Sequence, residues 1–192
     1  MKITLIRHSE VDEAYHKRYN GHIDIGLSRK GEVEAKALSK RFEDEHFDLI
    51  YCSDLLRAKE TLQPFTQAKD AIYTPKLREK SWGKHEGKSF DEIIAEGEIS
   101  YENFEQWIEA LDGEDYKSYV QRIKEFFLEY LPSRKVDKVL VVTHAGVIRV
   151  LMAIVQELSL EEAFCINVPY SGYIVFDTKE KSFMAQKKSE YK

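Results

Sequence analysis

The sequence predicts an α/β fold: a mostly parallel sheet with helices on both faces. Three observations carry this reading. KITLI (2–6), FDLIYC (47–52) and KVLVVT (138–143) are short apolar runs that read as buried strands. Stretches with apolar residues at helical spacing separate them. Strands and helices in alternation bury their apolar faces best when the strands lie side by side and the helices cover both faces. Crossover connections in such a sheet are right-handed.

The elements follow in order. After the first strand, EVDEAYHKRYNGHIDIGLS (10–28) is polar and irregular, with Gly21 and Gly26 as turn points. Ser28 is placed to cap a helix whose apolar face includes Ala35, Leu38 and Phe42. Ser53 or Asp54 is expected to cap a second helix running towards Pro64, and AIYT (71–74) reads as a third strand. FDEIIAE (90–96) and YENFEQWIEAL (101–111) read as a helical insertion, a lid over about 89–118. In YKSYVQRIKEFFLEYL (116–131), Tyr119, Ile123, Phe126, Phe127 and Tyr130 suit a helix packed on a core. KVLVVT is followed by a helix, HAGVIRVLMAIVQEL (144–158). FCINV (164–168) and GYIVFDT (172–178) are expected as closing strands, with SFMAQKK (182–188) pairing as a hairpin. KKSEYK (187–192) reads as a solvated end. The 192 residues suffice for one domain with a substantial core, expected to span 1–192.

Composition narrows the function. The formal net charge is −5, which argues against a nucleic-acid binder, whose affinity rests on clustered positive charge. A local group of Arg and His can still oppose that sign and bind a small anion. No run approaches the roughly 18 apolar residues of a membrane span, and the N-terminal run is too short for a signal peptide. The expected location is cytoplasmic. Cys52 and Cys165 lie in apolar runs without metal or redox spacing and are expected to be buried and reduced. A monomer or a homodimer, joined through a sheet edge or the hairpin, is expected.

Polar chemistry collects at strand ends. Ligands of open parallel sheets bind beyond the carboxyl ends of the strands. The first strand ends at Arg7-His8, the second runs into CSDLLRA with Arg57, and the third reaches Thr143-His144 before Ala145-Gly146. Arg, His, Arg and His at one sheet edge suit a phosphoryl group. Arginine forks pair with phosphate oxygens, and a neutral histidine attacks phosphorus. Backbone N–H groups at the helix start after His144, beginning with Ala145, add donors. Arginines that neutralise the oxygens remove the need for a metal. An acid for the leaving oxygen comes from LREKSWGKHEG (77–87), which supplies Glu79 and Glu86. A carboxylate beside a phosphate holds its proton more tightly.

These segments resemble the histidine phosphatase superfamily, which includes phosphoglycerate mutases and many phosphatases. LIRHSE is similar to that family's LIRHGE signature. YNGHIDIGLSRKG, YCSDLLRAKET, LREKSWGKHEG and VVTHAGVIRVL continue the likeness in family order, from residue 3 to about 151. The resemblance implies a three-layer α/β/α sandwich. It implies His8 as nucleophile, Arg7 and Arg57 as phosphoryl ligands, His144 as transition-state stabiliser and Glu79 as proton donor. Asn20, Gly21 and Ala145 are expected as further substrate contacts, and no cofactor is implied. The compact chain resembles the phosphatases more than the longer mutases. Its blocks look most like the α-ribazole-5′-phosphate phosphatase branch. A mutase, or a phosphate binder without turnover, is the alternative.

Departures from the family pattern are Ser9 for Gly, HAG for HGG, Trp82 for Phe and His85 for an apolar residue. The Ser9 side chain is expected either to crowd the phosphate or to hydrogen-bond it. Arg149 is expected in a structural ion pair, Glu86 in a structural role, and His16 and His46 at the surface. Glu10, His22, Tyr15 and Trp82 are weighed as substrate-side residues, and the insertion's aromatics as packing.

Overall fold

The computed structural model describes residues 1–184. One six-stranded sheet runs in the order β3-β2-β4-β1-β5-β6. Its strands are β1 Lys2–Arg7, β2 Leu49–Ser53, β3 Ile72–Thr74, β4 Lys138–Thr143, β5 Tyr173–Asp177 and β6 Ser182–Met184. The first four in space are parallel, while β5 and β6 are antiparallel additions at one edge. The sheet is therefore mixed and mostly parallel, as its alternation of elements predicts.

The period of two along each strand builds two cores. Ile3, Leu5, Tyr51, Val139 and Val141 face one side, against Tyr119, Ile123, Phe127, Val147 and Leu151. Ile6, Ile50, Cys52, Leu140 and Val142 face the other, against Leu38, Ala58 and Leu62. The second face is covered by α1 Arg29–Arg41 and α2 Leu56–Leu62. The first is covered by α5 Tyr116–Lys124 and α7 Ala145–Gln156. A six-residue π-helical stretch, Glu125–Tyr130, joins α5 to α6 Leu131–Ser133. The result is the three-layer sandwich that the resemblance implies.

The insertion makes a third core. α3 Phe90–Ala95 and α4 Phe104–Ala110 are short helices, each capped by a side chain. Ile93, Trp107, Ile108 and Leu111 pack with Trp82, and Tyr19, Phe104 and Phe164 join them. None of the described helices is long and apolar enough to cross a membrane.

Three expectations need correction. FCINV is not a strand: its first two residues end α8 Leu160–Cys165, which Ser159 opens with a capping box. The two-way Ser159–Glu162 cap and the Ala163 contact outweigh the β-branched residues that suggested extension. Cys165 is consequently exposed at the end of that helix, while Cys52 is buried in β2. Neither Ser53 nor Asp54 caps α2, whose N-cap is Leu55 with no side-chain bond. Ser53 is engaged by His144, and Asp54 pairs in two bonds with Arg78. The hairpin forms over Ser182–Met184, and the remainder of SFMAQKK and KKSEYK lies outside the described residues.

Candidate active site

Strand register brings the two histidines together. β1 and β4 pair from Lys2 with Lys138 through to Arg7 with Thr143. The next residue on each strand is a histidine, and the His8 N–H donates to the Thr143 carbonyl at 2.9 Å. The ring centroids of His8 and His144 lie 5.2 Å apart.

His8 Nδ1 lies 2.8 Å from the Ser9 carbonyl oxygen. A carbonyl only accepts, so Nδ1 carries the proton and Nε2 presents a lone pair. Burial first, then Arg57 and Arg7, push the His8 pKa well below the ordinary histidine value. The ring is therefore neutral at neutral pH. His144 is fully buried, with Nε2 2.8 Å from Ser53 Oγ. Its pKa is also driven well down by burial and by Arg57, and its Nδ1 is buried without a partner among the described residues.

The arginines are held by carbonyls. Arg7 Nη1 donates to Val168 O at 2.6 Å, and its guanidinium stacks 3.8 Å from the Tyr170 ring centroid. Arg7 Nε is buried without a partner among the described residues. Arg57 donates to Ile23 O at 2.9 Å, Asn20 O at 2.9 Å and Gly21 O at 2.7 Å, tying the loop after β1 to α2. Burial pushes the Arg57 pKa down to about 10, so it stays charged at neutral pH.

Glu79 is fixed by three donors. Its Oε1 accepts from the Tyr119 hydroxyl at 2.5 Å and the Lys80 N–H at 3.1 Å, and Oε2 accepts from the Gly146 N–H at 2.9 Å. A Cβ on Gly146 would sit 2.1 Å from Glu79 Oε1. The glycine of HAG is thus explained by the carboxylate occupying its side-chain space.

These groups surround a cavity of about 270 Å³. Its wall includes Arg7, His8, Asn20, Arg57, Glu79 and Ala145, while His144 and Gly21 are off it. His144 lies against His8 from the β4 side, and Gly21 supplies its carbonyl to Arg57 and packs where a Cβ would strike the Lys80 carbonyl. Tyr15 and Trp82 line the wall with Tyr19, Tyr116, Tyr119, Phe164 and Tyr170. Cations on the wall also include Lys17, Arg18, Lys80 and Arg149, and Glu79 is its one carboxylate among the described residues.

Arg149 makes no ion pair among the described residues; its Nε donates to Ile166 O at 2.9 Å, and the residue faces the cavity. That corrects the structural ion pair. Glu86 is structural, its carboxylate accepting from the N–H groups of His22, Ile23 and Trp82. His22 bonds the Glu79 carbonyl oxygen at 3.0 Å and is absent from the wall. His16 is half-buried rather than a surface residue, bonded to Val11 O and facing Glu10 and Tyr170. His46 is exposed. Glu10 stays buried away from the cavity, next to Lys30. Sequence reasoning missed Tyr119, Tyr170 and Lys80. Tyr119 was legible only as a core position on its helix, and nothing in its spacing signals the Glu79 contact.

Ser9 is fully buried and off the cavity wall. Its N–H donates to Thr61 Oγ1 at 2.8 Å, and its hydroxyl is hydrogen-bonded to that of Ser171 at 2.8 Å. Both alternatives for Ser9 put its side chain on the phosphate. The structure instead turns it towards Ser171, which donates to Glu34 Oε2 at 3.0 Å.

The model of the histidine phosphatase superfamily (branch 1) matches residues 3–190. The adenosylcobalamin/alpha-ribazole phosphatase of Escherichia coli is 26% identical over 94% of this chain and 92% of its own. Phosphoserine phosphatase 1 of Hydrogenobacter thermophilus is 28% identical over 94% of this chain and 88% of its own. The solved structure of Bacillus stearothermophilus YhfR superposes with a TM-score of 0.81 at 29% identity, over 95% of this chain and 94% of that one. The chain belongs to the histidine phosphatase superfamily, branch 1.

Proposed function

We propose that the protein hydrolyses a small phosphorylated metabolite through a phosphohistidine on His8, without a metal. The observation that carries this is the His8 tautomer: Nδ1–H is spent on Ser9 O, and a neutral Nε2 is free. In the first step Nε2 attacks phosphorus and the P–O bond to the leaving group breaks. Arg7, Arg57 and His144 stabilise the charge on the three phosphoryl oxygens. Arg7 Nε and His144 Nδ1, buried without a partner among the described residues, are the donor sites that a phosphoryl oxygen would complete. Glu79 gives its proton to the leaving oxygen. In the second step water attacks the phosphohistidine, Glu79 takes the water proton, and phosphate leaves with His8 neutral again.

The cavity size favours a small ester. The aromatic wall of Tyr15, Tyr19, Trp82 and Phe164 suits the flat ring of α-ribazole 5′-phosphate, our first candidate. A second reading is an acidic ester such as phosphoserine. It is favoured by Lys80 and Arg149, which face the cavity with no carboxylate within 4.0 Å among the described residues.

Phosphate release is measured from p-nitrophenyl phosphate, α-ribazole 5′-phosphate, phosphoserine, 3-phosphoglycerate and glycerol 3-phosphate, without added metal, beside His8→Ala. Turnover that disappears in the variant supports the reading, and the best ester names the substrate class. Turnover that persists in a folded His8→Ala protein overturns it. Conversion of 3-phosphoglycerate to its isomer without phosphate release would instead identify a mutase, and binding without either reaction a phosphate binder.

A further inference from the structure

We propose that Tyr119 is a positioning residue that sets the proton affinity and orientation of Glu79. The inference rests on Glu79 being the leaving-group acid. Tyr119 comes from α5, in the chain that follows the insertion, and reaches Glu79 at the cavity wall. It is 2% exposed. Its hydroxyl donates to Glu79 Oε1 at 2.5 Å, within the short range typical of O–H···O⁻ bonds. Burial and the neighbouring Glu79 raise the phenol's pKa well above its ordinary value, so it remains a donor through the working pH range.

The geometry divides the work on the carboxylate. Tyr119 and the Lys80 N–H hold Oε1, and the Gly146 N–H holds Oε2. Glu79 thereby stays on the cavity wall in one rotamer during both half-reactions. A donated O–H favours the charged carboxylate over the acid. Other charges face the same pair. Arg7 and Arg57 act on Glu79 and remain in the variant. The His22 ring bonds the Glu79 carbonyl, not its carboxylate. Arg122, 5.0 Å from the Tyr119 ring centroid, and its partner Glu114 act in opposite senses on the Tyr119 phenol. His8 and His144 titrate well below neutrality and leave the alkaline limb to other groups.

The test is kcat/KM against pH with glycerol 3-phosphate as alkyl ester and p-nitrophenyl phosphate as aryl ester. Glu79→Gln identifies the alkaline limb that depends on the acid. In Tyr119→Phe that limb should move up by about one pH unit, the shift expected for losing one hydrogen bond to a charged group. The alkyl ester should show the larger change. Glu79 Oε1 keeps the Lys80 donor, so the variant should fold, as a thermal melt would show. A 3-fluorotyrosine at position 119 is a stronger donor of the same shape and should move the limb down. A limb that stays in place in both variants, while Glu79→Gln removes it, overturns the proposal. So does an equal rate loss on both esters at every pH, which is the mark of a merely structural contact. If Glu79→Gln keeps the limb and full alkyl activity, the acid assignment itself falls, and the proposal falls with its premise.

Discussion

The tautomer of His8 follows from one acceptor, the Ser9 carbonyl. The position of His8 was legible because LIRHSE places it at a strand end. The nitrogen was not, because a backbone carbonyl has no sequence signature. Ser9 shows the opposite case: the residue type stood out, but its side chain turns to Ser171, 162 positions along the chain. Two predictions belong at this scale. Glu79→Gln should slow alkyl esters by about 100-fold or more, the usual worth of a positioned acid, and activated aryl esters far less. Equal losses on both would remove Glu79 from the leaving-group role. Gly146→Ala should cost at least about ten-fold in kcat on alkyl esters, because its methyl must displace Glu79 Oε1. A crystal structure of that variant with Glu79 unmoved, or unchanged kcat, would contradict this.

The continuously buried strands were legible as apolar runs, and the register of β1 on β4 then brings Arg7-His8 beside Thr143-His144. FCINV failed because β-branched residues near a helix end look like a strand until the capping box is weighed. The insertion was legible as helical, and its aromatics as packing. Its link to the cavity was not: Trp107 is 2% exposed, and its Nε1 donates to the Tyr19 hydroxyl at 2.8 Å. Tyr19 and Trp82, in contact at 5.0 Å between centroids, form part of the cavity wall. Trp107→Ala should cost about 3–5 kcal/mol of stability and raise KM more than it lowers kcat for the best ester. An unchanged KM would show that the insertion does not shape the wall.

Across the whole molecule, a chain of net charge −5 concentrates six cations on one cavity wall. Such a local reversal of sign draws an anion in despite the global charge. Burial, with Arg57 and Arg7 adding to it, holds His8 and His144 neutral in the fold. The folded pKa of each is below the unfolded value of about 6.5, so the unfolded chain binds more protons as pH falls below that point. Stability contributed by the neutral rings is therefore complete above pH about 6.5 and lost progressively below it. The limiting slope is about 1.4 kcal/mol per pH unit for each ring. Urea melts from pH 7.5 to 5 should show this decline, and His8→Ala with His144→Ala should flatten it. A decline of equal steepness in the double variant would assign it to other groups.

The most direct test of the central claim is to mix the protein with its best ester, quench in base and look for phosphate on His8 by peptide mass spectrometry. Phosphohistidine resists alkali and is lost in acid. The account predicts an alkali-stable, acid-labile adduct on the peptide carrying His8, formed within one turnover and absent in His8→Ala. Turnover with no adduct on His8, under conditions that trap an adduct elsewhere or show direct attack of water on phosphorus, would contradict it.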